Sequence, residues 1–389
     1  MKEMTSRERV LAVLDHKEPD RVPSNIWATL DGYKMLRKGL GLDVKDKYPV
    51  GTTTWTTDVA VEEDVVEKFG ADLIRINTGP PEGRGFRETG EGLLEDEWGV
   101  IRKEVEYKTG TYLEIVGYPL ENATAKDIED YPWPDPTDPA VVEGLRERAK
   151  WLRENTPYAI LLQCGRGGIF EQAKYMRGYA KIFEDFLIEP EFVHALFRKL
   201  TGIEKEFNQV GLEAAGEFAD IVRLSPEDLA SEKQTFCSPA MFREMILPYY
   251  RECMEFVGTM FREKNPHGKL EFHSCGAVSH EFMEDLLDAG MQVYDALEVK
   301  VRDESRPGRF KEKFGDRLAF LGGIDVQFTL PLGSVEDVRN EVKERIKEMA
   351  PGGGYIIASS HRIQPDMPFE NVKTMYEATK EFGKYPIQL

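Results

Sequence analysis

Apolar positions recur along this chain with two different periods. In residues 5–16, Val10, Leu11, Val13 and Leu14 share one helical face behind a capping Thr5 or Ser6. Prolines at 19 and 23 interrupt the chain and lead into a short apolar run, 22–27, read as a first strand. Helical spacing returns at 32–39 and at 62–69, the latter ended by Gly70, and 72–77 reads as a second strand. Residues 52–61 are Thr-rich and without period, an N-terminal elaboration. The stretch 79–137 mixes Gly, Pro, Trp and Tyr with short alternating runs, so that 97–102 and 111–116 form a β-hairpin excursion.

Beyond a helix at 139–155 the rhythm is regular. Apolar runs at 158–164, 220–224, 269–275, 293–297, 318–322 and 355–358 read as buried strands. Helical patterns follow or separate them: up to about 211, then 239–264, 280–289, 309–314, 335–349 and 368–382. Buried strands alternating with helices specify a parallel sheet covered by helices. With 22–27 and 72–77 included the strands number eight, which favours a closed (β/α)8 TIM barrel with N-terminal elaborations, one domain over 1–389. No G-x-G-x-x-G follows a strand, and the glycines at 352–354 precede theirs, as in a turn.

Composition narrows the partners. Hydrophobic residues make up 41% of 389, enough for a large core, and the net charge of −19 disfavours nucleic acid and anionic membranes. Four scattered cysteines are too few for a disulfide scaffold, and the N-terminus lacks the apolar core of a signal peptide. These features predict a cytoplasmic protein with no membrane span.

The chemistry concentrates where strands end. In such a barrel the C-terminal strand ends form the working face. They read Gln163-Cys-Gly-Arg166, Ser225-Pro-Glu-Asp228, His273-Ser-Cys275, Glu298, Gly322-Gly-Ile-Asp325 and Ser359-Ser-His361. On a strand, His273 and Cys275 point the same way. An imidazole and a thiolate on one face, followed by Gly276, read either as half of a zinc site or as a packed thiol beside a hydrogen-bonded histidine. His361 is a further ligand or a hydrogen-bonding histidine without metal. Glu227 is a fourth ligand or its supporting partner, and Asp228 can orient a ligating histidine. Asp228 and Asp325 are the candidate catalytic carboxylates. Cys164 is the reserve thiolate and a candidate substrate contact, while Cys237 and Cys253 fall on or near a helix, as packing residues do. Trp27, Tyr33 and Trp55 are candidates for an aromatic substrate pocket, or for the core.

Several of these stretches resemble the uroporphyrinogen decarboxylase superfamily, and within it the cobalamin-dependent methyltransferase branch. The carrying segments are Arg7 to Pro23, Ser238 to Pro248, Phe272-His-Ser-Cys-Gly276, Gly322-Gly-Ile-Asp325 and Ile363-Gln-Pro-Asp-Met-Pro-Phe-Glu-Asn371. The H-x-C-G run resembles the zinc motif of the methyltransferases, and Gln364 in the closing run joins the candidate substrate contacts. Two departures stand out. The decarboxylases carry an N-terminal arginine motif that grips porphyrinogen carboxylates, whereas 25–33 holds no arginine. The methylcobamide:coenzyme M enzymes carry a cysteine where His361 stands.

The resemblance implies zinc and a corrinoid (cobalamin) carried by a separate protein. The expected activity is methyl transfer from a small methylated donor, by preference a methoxylated aromatic, with O-demethylation. Two rivals are a metal-free lyase using Asp325 and His361 as acid and base, and a non-catalytic barrel that binds a tetrapyrrole or corrinoid. A homodimer is admitted.

Overall fold

The structure, a computed structural model, describes residues 3–45, 58–83, 85–107 and 110–389. A two-stranded ribbon joins β1 (Ala28–Thr29) to β2 (Asp58–Val59). The first parallel strand is β3 (Leu73–Asn77). An antiparallel sheet follows, built from β4 (Phe86–Gly90), β5 (Leu93–Asp96), β6 (Ile101–Tyr107) and β7 (Gly110–Gly117) in sequential order. β6 and β7 form a hairpin at the expected place, but its first arm is Ile101–Tyr107 rather than 97–102, and β4 and β5 extend the sheet by two strands. The remaining parallel strands are β8 (Ala159–Gln163), β9 (Ile221–Arg223), β10 (Lys269–His273), β11 (Val293–Leu297), β12 (Ala319–Ile324) and β13 (Tyr355–Ser359). Together with β3 they form one curled sheet in the order β13-β12-β11-β10-β9-β8-β3. The fold is therefore α/β, as the alternation of patterns specified.

Among the described residues the parallel strands number seven, not the expected eight. Residues 22–27 form no ladder; Ser24 makes an isolated parallel bridge to Ile357. Prolines explain this. Pro23 has no N–H to donate, and its neighbour's amide is drawn to a side chain, Ser24 N donating to Asp72 Oδ2 at 2.9 Å. The segment still reaches both sheet edges. Asn25 N donates to Ile357 O at 3.0 Å, and Asp72 N donates to Ser24 O at 2.8 Å.

Side-chain alternation divides the sheet's apolar residues into two clusters. Leu73, Ala159, Leu161, Ile221, Val293, Ala319, Leu321, Ile356 and Ala358 pack together with Val10, Val13 and Leu14. The N-terminal helix Ser6–Leu14, capped by Thr5 in a full capping box, thus covers the inner face near the strand starts. Ile74, Ile160, Leu162 and Val222 belong to the larger cluster shared with the helices. Further along the strands the inner-face positions become polar, passing to Arg75, Gln163, Arg223, Glu271 and His273. Register sets these side by side: Gln163 is opposite Arg223, Arg223 opposite Glu271, and His273 opposite Asp295. An apolar floor and a charged upper layer are thus written into single strands. Gly352, Gly353 and Gly354 all take positive φ in the turn before β13, which only glycine adopts three times running at little cost.

Candidate metal centre

The centre begins at the end of β10. His273 and Cys275 project to the same side, while Ser274 between them turns away and accepts the amide of Leu229 at 3.1 Å. Gly276 follows at φ 86°, and a Cβ there would run into the Ala230 carbonyl. Glycine therefore lets the chain turn under the loop that carries Asp228. Asp228 Oδ1 accepts the amide of Cys275 at 3.1 Å. The Cys275 Sγ to His273 Nε2 distance is 3.4 Å. Ligand atoms of Asp228, His273 and Cys275 all lie within 4.8 Å of one another, with Asp228 and Cys275 half-buried and His273 buried. No other such group occurs among the described residues.

Electrostatics assigns each group a form. Burial lowers the His273 pKa, and the Arg223 guanidinium lowers it further. The imidazole is neutral, its Nδ1–H donating to Asp295 Oδ2 at 2.8 Å, which leaves the Nε2 lone pair facing Cys275. Asp295 is in turn held by Arg223 at 2.7 Å, and Arg223 also donates to Glu271 at 3.0 Å. Burial opposes ionisation of Asp228, but its surroundings, the Lys174 ammonium and the Cys275 amide among them, outweigh it and hold the carboxyl below its ordinary range. Burial drives the Cys275 thiol well above its usual range, and the Asp228 and Glu298 charges add to the rise. A cation is what would reverse that last effect, because a coordinating thiol gives up its proton. One neutral imidazole, one thiol and one carboxylate form a mixed N, S, O donor set that fits zinc and leaves a fourth position. A hard cation such as magnesium would have no use for the sulfur.

Trp27 covers this cluster. It is 5% exposed, stands edge-on to His273 with centroids 6.0 Å apart, and tilts against His361 at 5.6 Å. The Arg223 and Arg362 guanidinium carbons lie 5.1 and 5.3 Å from its centroid. Beside His361 a cavity of about 170 Å³ opens, lined among others by Tyr107, Tyr112, Arg362 and Gln364. Tyr107 at the end of β6 reaches across it, its Oη donating to Gln364 Oε1 at 3.3 Å.

A family model described as uroporphyrinogen decarboxylase (URO-D) matches residues 103–382. The chain belongs to the uroporphyrinogen decarboxylase family. The uroporphyrinogen decarboxylase of Anaeromyxobacter dehalogenans (strain 2CP-C) is 27% identical over 280 residues, 69% of this chain and 71% of that protein. The methylcobamide:CoM methyltransferase MtaA of Methanosarcina barkeri is 23% identical over 212 residues, 53% of this chain and 57% of that protein. Among solved structures, a methyltransferase from Methanosarcina mazei superposes with a TM-score of 0.64 at 19% identity, covering 98% of this chain and 99% of that one. That last likeness is one of fold. The relatives include a decarboxylase and a methyltransferase, consistent with the methyltransferase branch of the superfamily.

In this member of the uroporphyrinogen decarboxylase family the residues singled out from sequence fall in three groups. His273, Cys275 and Asp228 come together, with His361 and Trp27 beside them. Gln364 lines the neighbouring cavity. The others are engaged elsewhere. Glu227 accepts the amides of Ile169 and of Glu171, the latter at 2.8 Å. The Asp325 carboxylate accepts the amides of Gln327 at 2.9 Å and Thr329 at 3.2 Å in its own loop. The Tyr33 hydroxyl meets Arg37 and Glu62, and Cys164 is fully buried. Trp55 lies outside the described residues. His280 Nε2 donates to the Glu304 carbonyl at 2.6 Å, and the ring packs on Phe310 and Phe314. Asp295 and Arg223 were missed. Their signal was present, since a lone aspartate in Val293–Leu297 and an arginine ending Ile221–Arg223 interrupt otherwise apolar strands. No helix among the described residues is long and apolar enough to cross a membrane.

Proposed function

We propose that this protein is a zinc-dependent methyltransferase, moving a methyl group from a small donor to the cobalt of a corrinoid held by a separate protein. The observation that carries this reading is the convergence of Asp228, His273 and Cys275 at the end of β10. Those three would hold the zinc. Bound there, the ion supplies Lewis acidity to the donor's leaving heteroatom. Asp295 keeps the His273 ring in the tautomer whose Nε2 faces the cluster. Trp27 closes one side of the site and excludes water, and His361 stands at its edge to donate a hydrogen bond to the leaving oxygen. Asp228 and Cys275 remain reachable from outside, being only half-buried.

The preferred donor is a methoxylated aromatic, with O-demethylation. The cavity beside His361, about 170 Å³, is close to the roughly 150 Å³ that accepts a benzene ring elsewhere. Tyr107 and Tyr112 offer ring faces at its rim. We read the curled sheet as a barrel closed by residues 22–25, the whole chain as one domain, and its setting as the reducing cytoplasm, where four free thiols are stable. The metal-free lyase reading is weaker, because both oxygens of Asp325 are taken up by amides of its own loop.

The test is to incubate the protein with a reduced corrinoid protein and a panel of methoxylated aromatics, and to follow methyl-cobalt absorbance. Wild type is expected to give the signal and Cys275→Ser to lose it together with stoichiometric zinc. A wild-type protein that binds no zinc, or that yields no methyl-cobalt with any donor, overturns the proposal.

A further inference from the structure

Beside Asp228 lies Lys174, a residue that the sequence reading did not single out. It lies one turn into the helix Phe170–Arg177 and its side chain has no exposure at all. A fully buried lysine is rare, and burial of an ammonium costs stability unless it is paired. Here it is paired on every side. The ammonium is 2.5 Å from the Glu171 carboxylate and donates to the carbonyl oxygen of Asp228 at 2.9 Å. It also lies over the rings of Phe170, Tyr179 and Phe236, at 4.7, 5.4 and 5.1 Å from their centroids, an aromatic cage that attracts a cation.

Both members of the pair act on one residue. Lys174 holds the carbonyl of Asp228, and Glu171 Oε2 accepts its amide at 3.2 Å. The preceding residue is tied to the same helix, since Glu227 accepts the amides of Ile169 and Glu171. The peptide groups on both sides of the Asp228 Cα are therefore pinned to the first turn of Phe170–Arg177. With the main chain fixed, the carboxylate is left few directions to point, and it points at the Cys275 amide and the cluster. The neighbourhood is otherwise crowded with acids, including Glu171, Glu227 and Glu298, so the single buried ammonium also offsets their repulsion.

We infer that Lys174 and Glu171 are positioning residues of the metal centre, a clamp that fixes the Asp228 main chain and so aims its carboxylate at the same point as His273 and Cys275. The inference rests on the zinc reading of that cluster. It predicts that the pair acts on metal binding through Asp228 and through nothing else.

A double-mutant cycle tests this. Lys174→Met with Glu171→Leu removes both charges together, a change that buried ion pairs often tolerate without loss of stability. Zinc affinity is read by competition with a chromogenic chelator. The visible absorption of the cobalt(II)-loaded protein reports ligand geometry, and melting of the metal-free protein reports the fold. The doubly changed protein is expected to bind zinc about 10–100-fold more weakly, with an altered cobalt spectrum. In an Asp228→Asn background the same pair of changes is expected to cost nothing further. Unchanged zinc affinity, or an equal loss in both backgrounds, overturns the inference while leaving the metal centre intact. A wild type that binds neither ion overturns the zinc reading beneath it. Should the doubly changed protein not fold, Glu171→Gln keeps the shape and weakens the same two contacts, and a smaller loss that vanishes in the Asp228→Asn background is expected.

Discussion

Asp295→Asn is the sharpest perturbation of the centre, because it changes one charge and almost no volume. Asp295 is fully buried and accepts from His273 Nδ1 at 2.8 Å and from Arg223 at 2.7 Å. An asparagine oxygen can still accept the Nδ1 hydrogen bond, so the ring stays roughly in place. What disappears is the negative charge behind it, which makes Nε2 a stronger donor toward a cation. Loss of such a partner typically weakens metal binding 10–100-fold, about 1.4–2.8 kcal/mol. Arg223 retains Glu271 at 3.0 Å and so keeps one counter-charge. The fold therefore loses less than the roughly 3–5 kcal/mol of an orphaned buried charge. The measurement is zinc affinity at neutral pH by chelator competition, with denaturant unfolding of the metal-free protein alongside. Glu271→Gln is the control, since it touches the same arginine but not the histidine, and its zinc affinity should stay near wild type. If Asp295→Asn binds zinc as tightly as wild type, or if Glu271→Gln is weakened as much, the imidazole is not held for metal by Asp295.

Three further outcomes are expected. Because burial holds the metal-free Cys275 thiol above its usual range, zinc binding must release its proton. Affinity should then rise with pH, by up to about tenfold per unit, and Cys275→Ser should flatten that dependence; a wild-type affinity independent of pH would count against thiolate ligation. Gly276→Ala places a Cβ against the Ala230 carbonyl at φ 86°. It should cost on the order of 1–3 kcal/mol in denaturant unfolding, and no loss would contradict the turn geometry. Asp20 resists ionisation through burial, but hydrogen bonds from Arg9 and from the Met4 and Arg21 amides outweigh this and lower its pKa. Its contribution is thus complete above the unfolded pKa of about 4 and lost as pH falls through the lower folded value. Asp20→Asn should destabilise the protein at neutral pH and make its stability less sensitive to acid.

Periodicity alone was enough for the α/β class, for all seven parallel strands found among the described residues and for a hairpin near its expected place, because alternating and helical patterns are local properties of the chain. It also put His273 and Cys275 side by side, although β10 ends at His273 and Cys275 lies two residues past it. The failures share a cause. Residues 22–27 have the composition of a strand, but a ladder needs amides, and Pro23 and the Asp72 carboxylate remove two of them. Of the adjacent acids Glu227 and Asp228, sequence gave no means of choosing. The choice is made by the helix Phe170–Arg177, whose first amides take up Glu227 and whose Lys174 and Glu171 hold Asp228, all more than fifty positions away in the chain. Asp295 likewise becomes a partner of His273 only through the register of β10 on β11. Which residues carry chemistry was written in their types and spacing; which of them meet depends on contacts between distant segments, and those exist only once the sheet has curled.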